Sequence, residues 1–269
     1  GREQVQLKSW LQQNNEQDMY GGWLSGPRFE AKGFFRAEKQ GERWYLVTPE
    51  GHPFYSIGVN AVSAWQSRTY VEGREAMFSA LPKEGEELAV YYGKSNNRSA
   101  TGANRGRAFD QGRWFDFYRA NLQRTYAQPC PTVVPPLAAS PAPIEQDVAP
   151  CPPPGLDAAR WTAHSLDRLQ AWGFNTLGNW SDDTLGAAKR MPYTVPLSIS
   201  GDYATISTGL DWWGGMPDPF DPRFAMAAER AIAIASRDRR DDPWLLGFFA
   251  DNELAWAAPG DEPKARYAM

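Results

Sequence analysis

The apolar run Pro243-Trp244-Leu245-Leu246-Gly247-Phe248-Phe249-Ala250 breaks off at Asp251-Asn252-Glu253. Its apolar residues do not alternate with polar ones, so it reads as a strand buried on both faces rather than a half-solvated antiparallel strand. Strands of that kind belong to parallel sheets covered by helices. A cluster of polar acids where one emerges marks the catalytic rim of a β/α barrel. The short remainder after Glu253 holds no further strand, so a second catalytic carboxylate is expected from outside this sequence.

Upstream segments support a repeating strand–helix order. Residues 1–30 read as a lead-in, with Gln and Asn dense over 12–17 and breakers at Gly21-Gly22 and Gly26-Pro27. The remainder, 31–269, reads as one barrel-forming domain. Two short strands, 33–38 and 44–48, form a hairpin ahead of the first barrel strand, Phe54–Val59, whose exit carries Asn60 and, soon after, Trp65. Residues 72–108 read as polar and irregular. Apolar residues at helical spacing predict helices over 115–126 and 161–172, the second capped by Gly173. A strand from Phe174 exits at Asn179-Trp180-Ser181-Asp182, followed by a short helix over 184–190. A third strand covers 193–199, although Pro196 argues against a central position. A long loop with Trp212 and Trp213 leads to Asp221-Pro222, an N-cap followed by an N1 proline, which opens an Ala-rich helix.

The expected fold class is therefore α/β. It is a TIM (β/α)8 barrel of which this chain supplies about the first four strand–helix units. Covalent order alone also allows a doubly wound sheet, but no glycine-rich phosphate loop joins a strand to a helix.

Composition narrows the function. The formal charge of −4 comes with no basic stripe, so nothing favours nucleic acid. No apolar stretch approaches the roughly 18 residues that a bilayer span needs. Aromatic residues make up 13% of the chain, including 12 Trp. Trp65, Trp180, Trp212, Trp213 and Trp256 stand beside small or polar residues. Flat rings next to hydrogen-bonding groups suit sugars, whose C–H faces are apolar while their hydroxyls need partners. Burial in loop plugs is the competing role for each of them.

Cys130 and Cys151 bracket a Pro/Ala-rich insertion at about 129–155. A disulfide closing that loop would imply an oxidising compartment, with two unpaired thiols as the alternative. The N-terminus is no signal peptide, but a mature exported protein would have lost its own, so this absence does not prove a cytoplasmic home; a periplasmic or secreted location is the expectation. Two histidines and two cysteines, widely separated, do not make a zinc site, and no cofactor is called for. His52 lies in a turn at the opposite end of its strand from the rim, and His164 in a helix facing away from it.

Retaining glycosidic cleavage uses two carboxyl groups about 5 Å apart, one donating a proton to the leaving oxygen and one attacking the anomeric carbon. Glu253 at a strand exit suits the acid/base role. Asn252 beside it suits a sugar 2-hydroxyl. Asp251 either binds substrate or holds Glu253. Asn60, Asn179, Trp180 and Asp182 form further polar–aromatic exits suited to sugar, with an Asx-turn as the competing role for Asp182.

Three ordered blocks carry a resemblance. They are Trp44–Asn60 (WYLVTPEGHPFYSIGVN), Trp172–Asp182 (WGFNTLGNWSD) and Pro243–Leu254 (PWLLGFFADNEL). Together they resemble the conserved blocks of the β-agarases of glycoside hydrolase family 50, retaining β/α-barrel glycosidases with two catalytic glutamates. The resemblance covers roughly residues 30–256, apart from the insertion. It implies that Glu253 matches the acid/base at the end of the fourth barrel strand and Asn252 the asparagine before it. It also implies hydrolysis of a β-linked galactoside such as agarose or its oligosaccharides. The family's nucleophile follows the seventh strand, so a complementary C-terminal half or a second polypeptide is the expected partner. Pairing with a second copy, a disabled remnant, a carbohydrate-binding protein without catalysis and an assembly module are the other expectations.

Overall fold

The computed structural model describes residues 2–12, 16–64, 68–95, 112–126, 156–206 and 215–254. In chain order the elements are α1 (Arg2–Gln12), β1 (Arg36–Gln40), β2 (Arg43–Val47), β3 (Pro53–Phe54), β4 (Gly58–Val59), β5 (Thr69–Tyr70), β6 (Tyr92–Ser95) and β7 (Gly112–Phe115). They continue as α2 (Phe117–Tyr126), α3 (Ala158–Ala171), β8 (Thr176–Leu177), α4 (Asp183–Ala187), β9 (Tyr193–Leu197), β10 (Thr205–Ile206), β11 (Met216–Pro217), α5 (Pro222–Ser236) and β12 (Leu245–Ala250).

The chain divides into two compact units, residues 1–62 with 165–269, and residues 63–164. The first is built on a sheet in the order β12-β9-β8-β4, parallel throughout. Spatial order follows sequence order without reversal, as in a barrel wall. A doubly wound sheet would reverse at a switch point. The fold is α/β, a partial (β/α)8 barrel.

Local chemistry explains these elements. Helix α3 buries Leu166 and Leu169 and ends in a Schellman motif. There Phe174 N–H donates to the Leu169 carbonyl and Gly173 N–H to that of Gln170, with Gly173 at φ +85°. Helix α5 opens as its sequence predicts: Asp221 accepts the Arg223 amide at 2.9 Å and Pro222 sits in the first turn. At Pro196, β9 pairs with β12 alone, so the proline occupies what is locally an edge.

The expected first barrel strand, Phe54–Val59, is divided. Its start pairs antiparallel with β2, making the hairpin a three-stranded sheet, and its end pairs parallel with β8. Between the two, Asn175 replaces the ladder. Its side chain accepts from the Ile57 amide at 2.8 Å and donates to the Tyr55 carbonyl at 2.9 Å. Strand β12 also departs from expectation. Its first half is part-buried, but Phe248 and Phe249 are 40% and 58% exposed, because β12 is the outermost strand of its sheet. Helix α5 likewise buries no residue fully.

Beneath the sheet, Asp18 ties the lead-in to the hairpin. One of its oxygens accepts the amides of Tyr20 and Gly22, and the other accepts the Thr48 hydroxyl and faces His52 Nδ1 at 2.8 Å. The second unit has its own core of Val71, Tyr91, Phe115 and Ala120 under the antiparallel sheet β5-β7-β6. Sequence reading left most of this unit irregular.

The Cys130–Cys151 disulfide is a corrected expectation. No disulfide is found among the described residues, and both cysteines lie outside them.

Candidate active site at the strand exits

Hydrogen bonds join the carboxyl ends of β4 and β8 and those of β9 and β12, and tie the β8 exit to the start of β9. After β4, the Ala61 amide donates to the Asn179 carbonyl at 2.8 Å, and Asp182 N–H donates to the Val62 carbonyl at 2.8 Å. Asn179, just past β8, is buried, and its Oδ1 accepts the Thr194 hydroxyl from β9 at 2.8 Å. After β12, Asp251 N–H donates to the Leu197 carbonyl at 2.7 Å, and its Oδ1 accepts the Ile199 amide at 2.8 Å.

The same edge concentrates backbone strain. Five non-glycine residues in the described chain have positive φ. Four of them stand at strand exits: Ala61 (57°), Trp180 (61°), Asp251 (54°) and Glu253 (48°). Each left-handed residue costs ~1–3 kcal/mol and persists where neighbours over-determine it, which happens most often at functional sites. Asn60 is exposed and lies over the bare face of Gly178, where a Cβ would come within 1.9 Å of its Oδ1. Trp180 is 49% exposed to solvent.

Asn60, Asn179, Trp180, Asp251, Asn252 and Glu253 therefore share one edge of the sheet, with Asn252 and Glu253 exposed and Asp251 half-buried. Asp182 shares that edge but caps α4, its Oδ1 accepting from the Thr184 amide at 3.0 Å and hydroxyl at 2.7 Å. Trp65, Trp212, Trp213 and Trp256 lie outside the described residues.

Sequence reasoning missed Thr194 and the part played by Tyr203. The Tyr203 hydroxyl donates to the Ile199 carbonyl at 2.7 Å, and its ring meets Phe224 edge-on at 5.2 Å. Burial first, and then the Asp251 charge, raise its pKa. An acidic charge close to a strand exit was the available signal, but nothing in the sequence paired it with Tyr203.

A cavity of about 230 Å³ is lined by Gly178, Asp182, Lys189, Tyr193 and Asp242, and does not include Glu253. The candidate centre is an open edge. Asp18, Glu50 and His52 bring ligand atoms within 4.8 Å of one another. The Asp18 oxygens are already spent on four donors, and His52 Nε2 faces Arg28, so this trio reads as a hydrogen-bonded knot.

No family model matches the chain. It is 32% identical to Beta-agarase B of Vibrio sp. (strain JT0107) over an alignment of 271 residues that takes in 94% of this chain and 25% of that protein. The solved structure of the agarase AgWH50C superposes with a TM-score of 0.71 at 30% identity, over 96% of this chain and 35% of its own. The chain belongs to the β-agarase type of glycoside hydrolase family 50. A solved exo-β-agarase superposes with a TM-score of 0.69 at 28% identity, over 97% of this chain and 37% of its own. This member of family 50 thus spans about a quarter of the curated relative and little more than a third of the solved structures. The four-stranded wall described above is a partial barrel of the family 50 β-agarases, a hydrolase family.

Proposed function

We propose that this chain is part of a retaining glycoside hydrolase that cleaves a β-galactosidic linkage in agarose or related galactan oligosaccharides. Glu253 serves as general acid/base, and the nucleophile comes from a complementary C-terminal half. The observation that carries this reading is the position of Glu253 at the exit of the fourth consecutive parallel strand, in a chain similar to β-agarases.

The chemistry follows from that position. The protonated Glu253 carboxyl gives its proton to the glycosidic oxygen as the C–O bond breaks. The nucleophile's carboxylate forms a covalent bond to the anomeric carbon from the opposite face. Glu253, now a carboxylate, takes a proton from water, which attacks the anomeric carbon and frees the nucleophile. Asn252 holds the 2-hydroxyl, and Trp180 offers a ring face to a neighbouring sugar. Galactan polymers are extracellular, so an exported enzyme is part of the reading.

The outermost strand β12, with Phe248 and Phe249 open to solvent, supports a complementary half packing there. Apolar faces of this kind seldom stay uncovered. The solvent-facing Trp180 favours one second reading, saccharide binding without cleavage. The test is Glu253→Gln in the completed barrel. Turnover of agaro-oligosaccharides should fall by about 10²–10⁴-fold while binding survives. Unchanged turnover would overturn the assignment, and binding without cleavage in the unaltered protein would favour the second reading.

A further inference from the structure

Asn252 and Glu253 sit in a turn whose shape a free chain seldom holds, with left-handed backbone immediately before and after Asn252. The residue that ties this turn to another element is Asp251. Its amide donates to the Leu197 carbonyl at 2.7 Å and its Oδ1 accepts the Ile199 amide at 2.8 Å, so backbone and side chain both grip the exit of β9. The Ile199 carbonyl in turn accepts the Tyr203 hydroxyl, which extends the grip into the loop after β9. Few side chains meet both demands at this position. Asp and Asn tolerate left-handed φ and carry a short acceptor, Gly meets only the first demand, and Ala meets neither.

We infer that Asp251 is the positioning residue of this centre: its carboxylate clasps the β9 exit and so fixes the direction in which Glu253 leaves β12. The inference rests on the proposed acid/base role of Glu253. It adds that Asp251 acts through geometry rather than through its charge or a sugar contact. A catalytic acid displaced by about 1 Å can lose 10²-fold in rate, so a clasp one residue from the Asn252-Glu253 pair has leverage on chemistry without touching substrate.

The test uses D251N, D251G, D251A and E253Q. Hydrogen exchange at the Ile199 amide is followed in the chain. Turnover is followed in the completed barrel on an agaro-oligosaccharide and on an aryl β-galactoside whose leaving group needs little protonation. D251A and D251G should speed Ile199 exchange and lower kcat on the oligosaccharide by about 10–100-fold with KM little changed, and lose less on the aryl substrate. D251N keeps the acceptor and should restore most of what D251A loses. An inactive D251N would assign the role to charge or to a sugar contact. Unaltered Ile199 exchange in D251A, or equal losses on both substrates, would likewise overturn the clasp. Full activity in E253Q would instead remove the acid/base role of Glu253 and leave the exchange result standing.

Discussion

The hydroxyl of Thr194 donates to the side-chain oxygen of Asn179 at 2.8 Å, linking the interior of β9 to the exit of β8 through a buried amide. Asn179 also lends its carbonyl to Ala61, so one residue ties together the exits of β4 and β8 and the start of β9. Thr194→Val preserves shape and removes the donor, leaving the Asn179 oxygen buried without it. A loss of about 1–3 kcal/mol is expected, read from urea unfolding.

Gly58 lies against β8 so closely that an added Cβ would come within 2.7 Å of the Thr176 carbonyl oxygen. The obstacle is backbone, which cannot swing aside as a side chain does. Gly58→Ala should therefore force the β4–β8 pair apart and lower stability by about 1–3 kcal/mol in the same assay.

Asp182 spends its carboxylate on the amino end of α4. Asp182→Ala should reduce stability by about 1 kcal/mol, and Asp182→Ser, which keeps a capping oxygen, should recover most of it. Equal weakening of oligosaccharide affinity in both variants, with stability unchanged, would point to a sugar contact instead.

Burial alone would raise the Asp242 carboxyl, but hydrogen bonds from Lys189, from the Tyr193 hydroxyl and from the Trp244 amide outweigh it and hold the pKa below the usual carboxylate value. A depressed folded pKa stabilises the fold above the unfolded value of about 4, and that contribution fades as pH falls through the folded one. Acid titration of unfolding free energy should show a loss below about pH 4. Asp242→Asn should be less stable at neutral pH and should flatten that part of the curve.

How much of this was legible in the sequence depended on the range of the interaction involved. Asp221-Pro222 and Gly173 announced helix ends because capping is settled within a few residues. The order of the parallel strands was readable because each was an apolar segment followed by polar residues. The division of Phe54–Val59 was not, since it is made by Asn175, more than a hundred residues away. The Thr194–Asn179 bond and the Asp251 clasp escaped for the same reason, being contacts between different strands. Asp182 was open to two roles because an N-cap and a sugar ligand ask for the same short acceptor. The exposure of Phe248 and Phe249 was hidden by composition, because an apolar run shows that burial is wanted and not which neighbour supplies it.

The left-handed exits at Ala61, Trp180, Asp251 and Glu253 also bear on how a chain of this fold diversifies. Side chains at these corners are limited to the few that accept the conformation, so random substitution there mostly unsettles the scaffold. Sequence variation would then gather in the longer connections beyond the corners, while the corners themselves stay fixed.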